Sequence, residues 1–153
     1  MSVLPKVFKL KKEPVEIEFD LPAPEDFCDY AYDFEKNELK TLNGRHYFVY
    51  GNEALKIWIY KAMVTDRFRF FAYSDQFGTE IYTLIGEVVS DKLKREEIKR
   101  YIVETLMVHP FIKSINKIEM ETFKEGLYVA VYFTSIFNDD VEYVVCTCLL
   151  YTS

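Results

Sequence analysis

The sequence predicts an α+β fold in which two helices pack on an antiparallel β-sheet, and three observations support this prediction. Two segments, within 52–63 and 91–108, place apolar residues at helical spacing. The last third of the chain holds three strand-like runs separated by short polar turns. The chain has 153 residues, 50% of them hydrophobic, with 5 Gly and 5 Pro, so it can bury a core without disulfides.

Residues 1–50 are predicted to form an extended N-terminal arm and a β-hairpin region, ahead of an α+β domain over residues 51–153. Prolines interrupt the short alternating segments of the first 27 residues, and proline is excluded from interior strands. These prolines are Pro5, Pro14, Pro22 and Pro24. Asn43-Gly44 lies between two apolar runs, which is a strong hairpin signal.

The first helix is predicted after Gly51, with Asn52 as its N-cap. One face carries Leu55, Trp58, Ile59, Ala62 and Met63. Ile57 and Tyr60 lie on the opposite side, so we expect a second contact surface there. Strands are expected at Phe68 to Tyr73 and at Glu80 to Ile85.

The second helix is predicted between Asp91 and Val108, with Pro110 ending it. Its apolar stripe consists of Ile98, Tyr101, Ile102, Thr105 and Leu106, and its other face is largely charged.

The C-terminal third is predicted to be a three-stranded antiparallel meander. Its strands are Ile115 to Phe123, Leu127 to Phe137 and Val141 to Tyr151. The middle strand is apolar on both faces, so both faces of the sheet need cover. The two helices can cover one face, and the N-terminal segment or another protein is needed for the other.

Charge and composition exclude several classes of function. The net charge is -6, which disfavours nucleic acid as a partner because phosphate binding requires clustered Lys and Arg. The chain has no apolar run long enough for a membrane helix and no pattern typical of a signal peptide, so we expect a soluble protein made in the cytoplasm. Three cysteines suit a reducing compartment.

Neither a catalytic site nor a metal or cofactor site is predicted. His46 and His109 do not lie at metal-ligand spacing, and Cys146 and Cys148 lack a matching ligand pair. Neighbouring carboxylates such as Asp139-Asp140 would not flank a substrate. We expect a protein without enzymatic activity, and the alternatives are a small cell-wall hydrolase of lysozyme type or an adaptor in an unrelated assembly.

A series of features along the chain carries a resemblance to a known family. In order, they are the helix of 52–63, Thr65 and Arg67, the aromatic strand through Phe70 to Tyr73, Phe77-Gly78, a charged helix with Arg100 and Leu106, and His109-Pro110-Phe111-Ile112. This order resembles the baseplate wedge and sheath-initiator family of contractile tails, found in myophages, R-type bacteriocins and type VI secretion systems. The stretch from Tyr32 to Gly51 is similar to the branch of phages and phage-like particles of Gram-positive bacteria.

The resemblance implies a structural baseplate component that joins the wedge to the first sheath ring by β-strand addition and templates sheath assembly. The implied partners are the tail sheath protein, baseplate wedge proteins and tube-end or hub proteins, with several copies in a sixfold ring. The implied location is the baseplate of an assembled particle, a virion or a bacteriocin. Many members carry Glu-Pro-Arg-Ile where this chain has His109 to Ile112, so an apolar anchor at Phe111 would replace a charged contact.

Two sets of interface residues follow from this resemblance and from the doubly apolar strand. The predicted sheath joint consists of Tyr128, Val129, Val131, Tyr132, Phe133, Tyr143, Val144 and Val145. The predicted wedge contact consists of Trp58, Tyr60, Thr65, Arg67, His109, Pro110 and Phe111.

Overall fold

The computed structural model of the chain describes residues 23–65, 77–81, 91–123 and 126–148. Within these residues it contains two α-helices and several antiparallel strand pairs, which confirms the predicted α+β class. The predicted N-terminal arm up to residue 22, the strand predicted at 68–73 and most of the strand predicted at 80–85 lie outside the described residues. No helix in the described ranges combines the length and hydrophobicity that a bilayer crossing requires.

The N-terminal region is a short two-stranded ladder from which two small hairpins branch. A 3₁₀ turn at Pro24–Asp26 precedes it. The strands are β1 (Cys28–Tyr30), β2 (Tyr32–Asp33), β3 (Glu38–Leu39), β4 (Thr41–Leu42), β5 (Arg45–His46) and β6 (Phe48–Tyr50). β1 pairs with β6, β2 with β3, and β4 with β5, all antiparallel. Asn43 and Gly44 have φ angles of 53° and 77°, as a two-residue hairpin turn requires, so the predicted hairpin is confirmed.

Helix α1 (Asn52–Val64) lies between this region and the C-terminal sheet. Its N-cap is Gly51, whose φ of 61° is a left-handed conformation that glycine tolerates. The prediction that Asn52 is the N-cap is therefore wrong. The Asn52 side chain instead accepts a hydrogen bond from the buried hydroxyl of Ser135, because that hydroxyl needs a partner away from water.

Helix α2 (Asp91–Leu106) packs through the stripe that its sequence predicts. Ile98, Ile102, Thr105 and Leu106 are buried. On its exposed face, Arg100 forms ion pairs with Glu97 at 2.6 Å and with Glu104 at 2.9 Å. Such exposed pairs each contribute little to stability, so burial of the stripe is what holds this helix in place.

The C-terminal sheet consists of β7 (Ile112–Phe123), β8 (Gly126–Ser135) and β9 (Glu142–Cys148), in the spatial order β7-β8-β9. This confirms the predicted meander. Helix α1 contacts β9 and helix α2 contacts β7, so both helices lie on one face of the sheet, called here the inner face. The buried side chains of the inner face are Leu127, Val129, Val131, Phe133, Val144 and Cys146.

Aromatic rings from separate segments meet at one end of the core. This aromatic cluster consists of Phe27, Trp58, Phe77, His109, Phe111 and Phe137. His109 is at its centre, with its ring centroid 4.5 Å from that of Trp58 and 5.4 Å from that of Phe27. Phe27 thereby joins the N-terminal region to the core that α1 shares with the sheet. The division of the chain at residue 50 stays a prediction.

His109 is held in its neutral form. Its Nδ1 atom accepts a hydrogen bond from the Phe111 N–H at 3.1 Å, which assigns the ring proton to Nε2. Nε2 is buried without a hydrogen-bond partner among the described residues. Burial lowers the pKa of His109 from 6.5 to about 4, because the charged form would lose its hydration.

Acid should therefore destabilise the protein through His109. The unfolded chain binds the proton near pH 6.5 and the folded chain near pH 4, so stability is complete above pH 6.5 and falls as the pH drops between these values. We expect a loss of about 2 kcal/mol in the free energy of unfolding from pH 7 to pH 5 through this residue. Urea unfolding of the wild type and of His109→Asn, which keeps a hydrogen-bond acceptor, measures it. An equal loss in both proteins would contradict the assignment.

Candidate assembly interface

The second face of the C-terminal sheet, called here the outer face, presents tyrosine and valine to solvent. On β8 it carries Tyr128, Ala130 and Tyr132, and on β9 it carries Tyr143 and Val145. Tyr143 is 59% exposed and Val145 is 48% exposed. Contiguous apolar side chains exposed on one face of a sheet often mark a site of contact with another protein.

Cross-strand pairing makes these side chains one continuous surface. Ala130 lies opposite Val145, and Tyr132 lies opposite Tyr143 with ring centroids 5.7 Å apart. An open depression of about 670 Å³ crosses the same face. Its lining includes Glu119, Glu121, Tyr128, Ala130 and Val145.

The eight residues predicted for the sheath joint divide equally between the two faces. Tyr128, Tyr132, Tyr143 and Val145 lie on the outer face. Val129, Val131, Phe133 and Val144 point inward and are buried beneath the helices. The latter four can hold the sheet in shape, but their side chains are not available to a partner.

The three strands also differ in what their backbones can offer. β8 is the central strand, and its backbone pairs with β7 on one side and with β9 on the other. Any strand added to this sheet would therefore lie beside β7 or β9. The prediction from sequence named the strand at Leu127 to Phe137 as part of the joint, and the structure gives that strand a supporting position.

β7 is irregular and charged. Its pairing with β8 shifts register between Ile112 and Ser114 and again between Ile115 and Lys117. On the outer face, Lys117 and Glu119 form an ion pair of 2.5 Å. Their hydrogen bond raises the pKa of Lys117 and lowers the pKa of Glu119, so both stay charged at neutral pH.

β9 is regular and, after its first residue, uncharged. It pairs with β8 without interruption from Glu142 to Cys148. The Glu142 carboxylate is bound by Lys56 of α1 at 2.9 Å, and Lys56 also contacts Glu53 at 3.2 Å. Burial alone would lower the pKa of Lys56, but the hydrogen bonds to Glu142 and Glu53 outweigh it and raise that pKa. This ion pair fixes the start of β9 to the helix.

The residues predicted for the wedge contact are largely occupied within the protein. Trp58, His109 and Phe111 belong to the aromatic cluster, and His109 and Phe111 are buried. The Thr65 hydroxyl donates a hydrogen bond to the Lys61 carbonyl at 2.6 Å. Pro110 is exposed beside this cluster. Arg67 lies outside the described residues.

Tyr60 shows what covers the second side of α1. Its ring lies 4.8 Å from that of Phe34 and 5.6 Å from that of Tyr32, and its hydroxyl donates to Asn37 at 3.0 Å. The N-terminal hairpin thus packs on this side of the helix. The expected second contact surface exists, and its occupant is another part of the same chain.

An exposed aromatic surface on the N-terminal ladder was missed by sequence reasoning. Tyr30, Phe48 and Tyr50 share one face of the β1-β6 pair and are 45%, 50% and 60% exposed. Tyr30 stacks on Phe48 with ring centroids 4.5 Å apart. The alternation of aromatic residues with Asp29 and Val49 was the signal that could have revealed it.

The described residues contain no group of three or more His, Cys, Asp and Glu side chains that could hold a metal ion. Cys28 is exposed and Cys146 is buried.

The sequence is similar to a family of known proteins and to one curated relative. The family model for the contractile injection system sheath initiator matches residues 28–139, a range that includes both helices and the strands β1 to β8. The phage-like element PBSX protein XkdS of Bacillus subtilis (strain 168) is 28% identical over 131 residues, which cover 85% of this chain and 86% of that protein. The family match extends over well more than half of the sequence and confirms the resemblance carried by its motifs. The protein belongs to the contractile injection system sheath initiator family.

Proposed function

We propose that the protein is a structural baseplate component that joins the wedge of a contractile tail to the first sheath ring and starts sheath assembly there. Membership of the sheath initiator family indicates a structural role in such a particle. The single observation that carries the finer proposal is the C-terminal sheet, which is buried on its inner face and keeps Tyr143 and Val145 exposed on its outer face. The proposal assigns no catalytic step to the chain.

The joint to the sheath is proposed to form by β-strand addition. A strand at the rim of a sheet can bond a further strand through its main chain, so the contact needs few specific side chains. Each main-chain hydrogen bond contributes about 1 kcal/mol net to binding, and a strand of several residues forms several such bonds. The predicted joint residues then have two roles. Val129, Val131, Phe133 and Val144 keep the sheet rigid from the inside. Tyr143 and Val145 can border a strand added beside β9, and Tyr128 and Tyr132 extend the same outer face on β8.

Templating follows if the same contact is repeated around the tail. With copies of the subunit in a sixfold ring above the tube-end or hub proteins, each copy would fix the position of one sheath subunit. The sheet is already held in place by two helices, so binding of the strand costs no conformational entropy for ordering the sheet. A rigid sheet therefore binds the strand more favourably than a flexible segment would.

The wedge contact is proposed to lie over the end of the aromatic cluster. Trp58, His109 and Phe111 lie in this cluster, and Pro110 is exposed beside it. Tyr60, Thr65 and Arg67 remain predicted wedge contacts. Met107 and Val108, next to His109, are 43% and 39% exposed. These apolar side chains together with Pro110 form a surface without charge that a wedge protein could cover.

Removal of residues 141–153 tests the role in sheath initiation. We expect particles with baseplates and tubes but without sheath, since this truncation removes β9 and the outer-face residues Tyr143 and Val145. Electron microscopy of induced particles measures the sheathed fraction. Immunoblotting of purified particles checks that the truncated subunit is still incorporated, because the truncation also removes Val144 and Cys146 from the core. Normally sheathed tails containing the truncated subunit would refute the proposal.

Val108→Glu tests the wedge contact. A buried carboxylate without a partner is costly at an interface, so we expect incorporation of the subunit into baseplates to fall at least tenfold, by about 1.4 kcal/mol or more. Val103→Glu is the matched control, since Val103 lies on α2, which ends just before Val108, and is 40% exposed. Quantitative immunoblotting of purified particles gives the readout. Equal incorporation of the two variants would place the wedge contact elsewhere.

A further inference from the structure

We infer that β9, rather than β7, is the strand of this sheet that receives the incoming strand of the tail sheath protein. This inference rests on the proposed function and assigns the joint to one side of the sheet. It predicts that the two outer strands, which flank the same central strand, differ in their importance for sheath assembly.

The irregularity of β7 is the first argument. A strand that pairs along β7 would have to follow both register shifts in its first six residues, because a bulge displaces the hydrogen-bonding groups on both sides of the strand. Bulges and charged side chains on outer strands are established devices against unwanted strand pairing. β7 has both, since Lys113, Lys117, Glu119 and Glu121 lie along it.

The Lys117-Glu119 pair adds a cost of its own. Both side chains are largely exposed, at 62% and 49%, and a strand laid beside them would remove part of their hydration. β7 therefore resists an added strand through both its backbone and its side chains.

β9 has the opposite properties. Its seven residues pair in unbroken register, so the backbone has a regular strand geometry over a length of roughly 24 Å. From Tyr143 to Cys148 it contains no charged residue, and the charge of Glu142 is already neutralised by Lys56. Nothing on this strand corresponds to the devices present on β7.

The side chains of β9 define the chemistry of the incoming strand. Tyr143 and Val145 would lie beside every second residue of that strand on the outer face, where β-branched or aromatic residues pair best with them. The sheath strand should therefore alternate, with Val, Ile, Thr or Tyr at the outer-face positions and no acidic residue there. A second copy of this chain is a poorer occupant because both copies carry a net charge of -6.

Two substitutions on either side of one residue test the inference. Val145 on β9 and Glu119 on β7 both lie opposite Ala130, so they flank the centre of the sheet symmetrically. Val145→Lys and Glu119→Lys place the same new charge at these two positions on the outer face. Val145→Thr keeps a β-branched residue and serves as the conservative control. Each variant replaces the subunit in the particle, and thermal unfolding of the purified subunits verifies that all fold.

We expect Val145→Lys to lower the fraction of sheathed tails about tenfold or more, while Glu119→Lys and Val145→Thr stay within about twofold of the wild type. A loss confined to Glu119→Lys would assign the joint to β7, overturning the inference while leaving the proposed function intact. Equal effects of the two lysine variants, including no effect in either, would also overturn it. A dimer of the purified subunit that Val145→Lys converts to a monomer would identify a second copy as the occupant and overturn it likewise.

Failure of the proposed function is recognised separately, by normally sheathed tails in particles that lack this subunit altogether.

Discussion

Burial of one face of the C-terminal sheet beneath two helices is the constraint on which the other features depend. Because side chains alternate along a strand, placing Val129, Val131 and Phe133 against α1 and α2 forces Tyr128, Ala130 and Tyr132 to the opposite side. A register shift by one residue would expose the valines and bury the tyrosine hydroxyls. The same packing that stabilises the domain therefore determines which residues a partner can meet.

The aromatic cluster holds together short segments that have little regular structure of their own. Phe27 precedes β1, Trp58 lies on α1, and Phe111 and Phe137 flank strands of the sheet. His109 contributes a ring of similar shape, and its Nδ1 atom satisfies a backbone N–H that would otherwise be buried without a partner. Trp58, His109 and Phe111, which the sequence analysis predicted as wedge contacts, thus hold separate segments of this chain together.

Long, strongly periodic elements could be predicted from the sequence, and of the short elements in residues 28–50 the hairpin at Asn43-Gly44 could be predicted from its turn residues. The stripe of α2 and the three C-terminal strands follow directly from spacing, since their burial depends on local pattern. The other short strands of residues 28–50 form only where two segments of two or three residues pair with each other. The β-propensity of a residue does not predict which segments pair. The role of Asn52 was mistaken for the same reason. Its hydrogen-bond partner, Ser135, is distant in sequence.

The candidate interface shows the same division. The doubly apolar pattern of β8 correctly indicated apolar or aromatic side chains on both faces of the sheet. It could not indicate that β8 is central and that its backbone is paired on both sides. The sequence also could not show that the N-terminal hairpin covers one face of α1, because the contacts of Tyr60 with Phe34 and Tyr32 arise only from tertiary packing. Periodicity identifies apolar faces, and tertiary structure decides which of them the chain covers itself.

The most direct measurement is a cryo-electron microscopy reconstruction of the intact tail at the level where the baseplate meets the first sheath ring. The account predicts continuous density for a fourth strand, contributed by the sheath protein and hydrogen-bonded along Tyr143 to Thr147 of β9. A first sheath ring that contacts this subunit through other surfaces, with β9 covered by the chain itself or facing solvent, would contradict it.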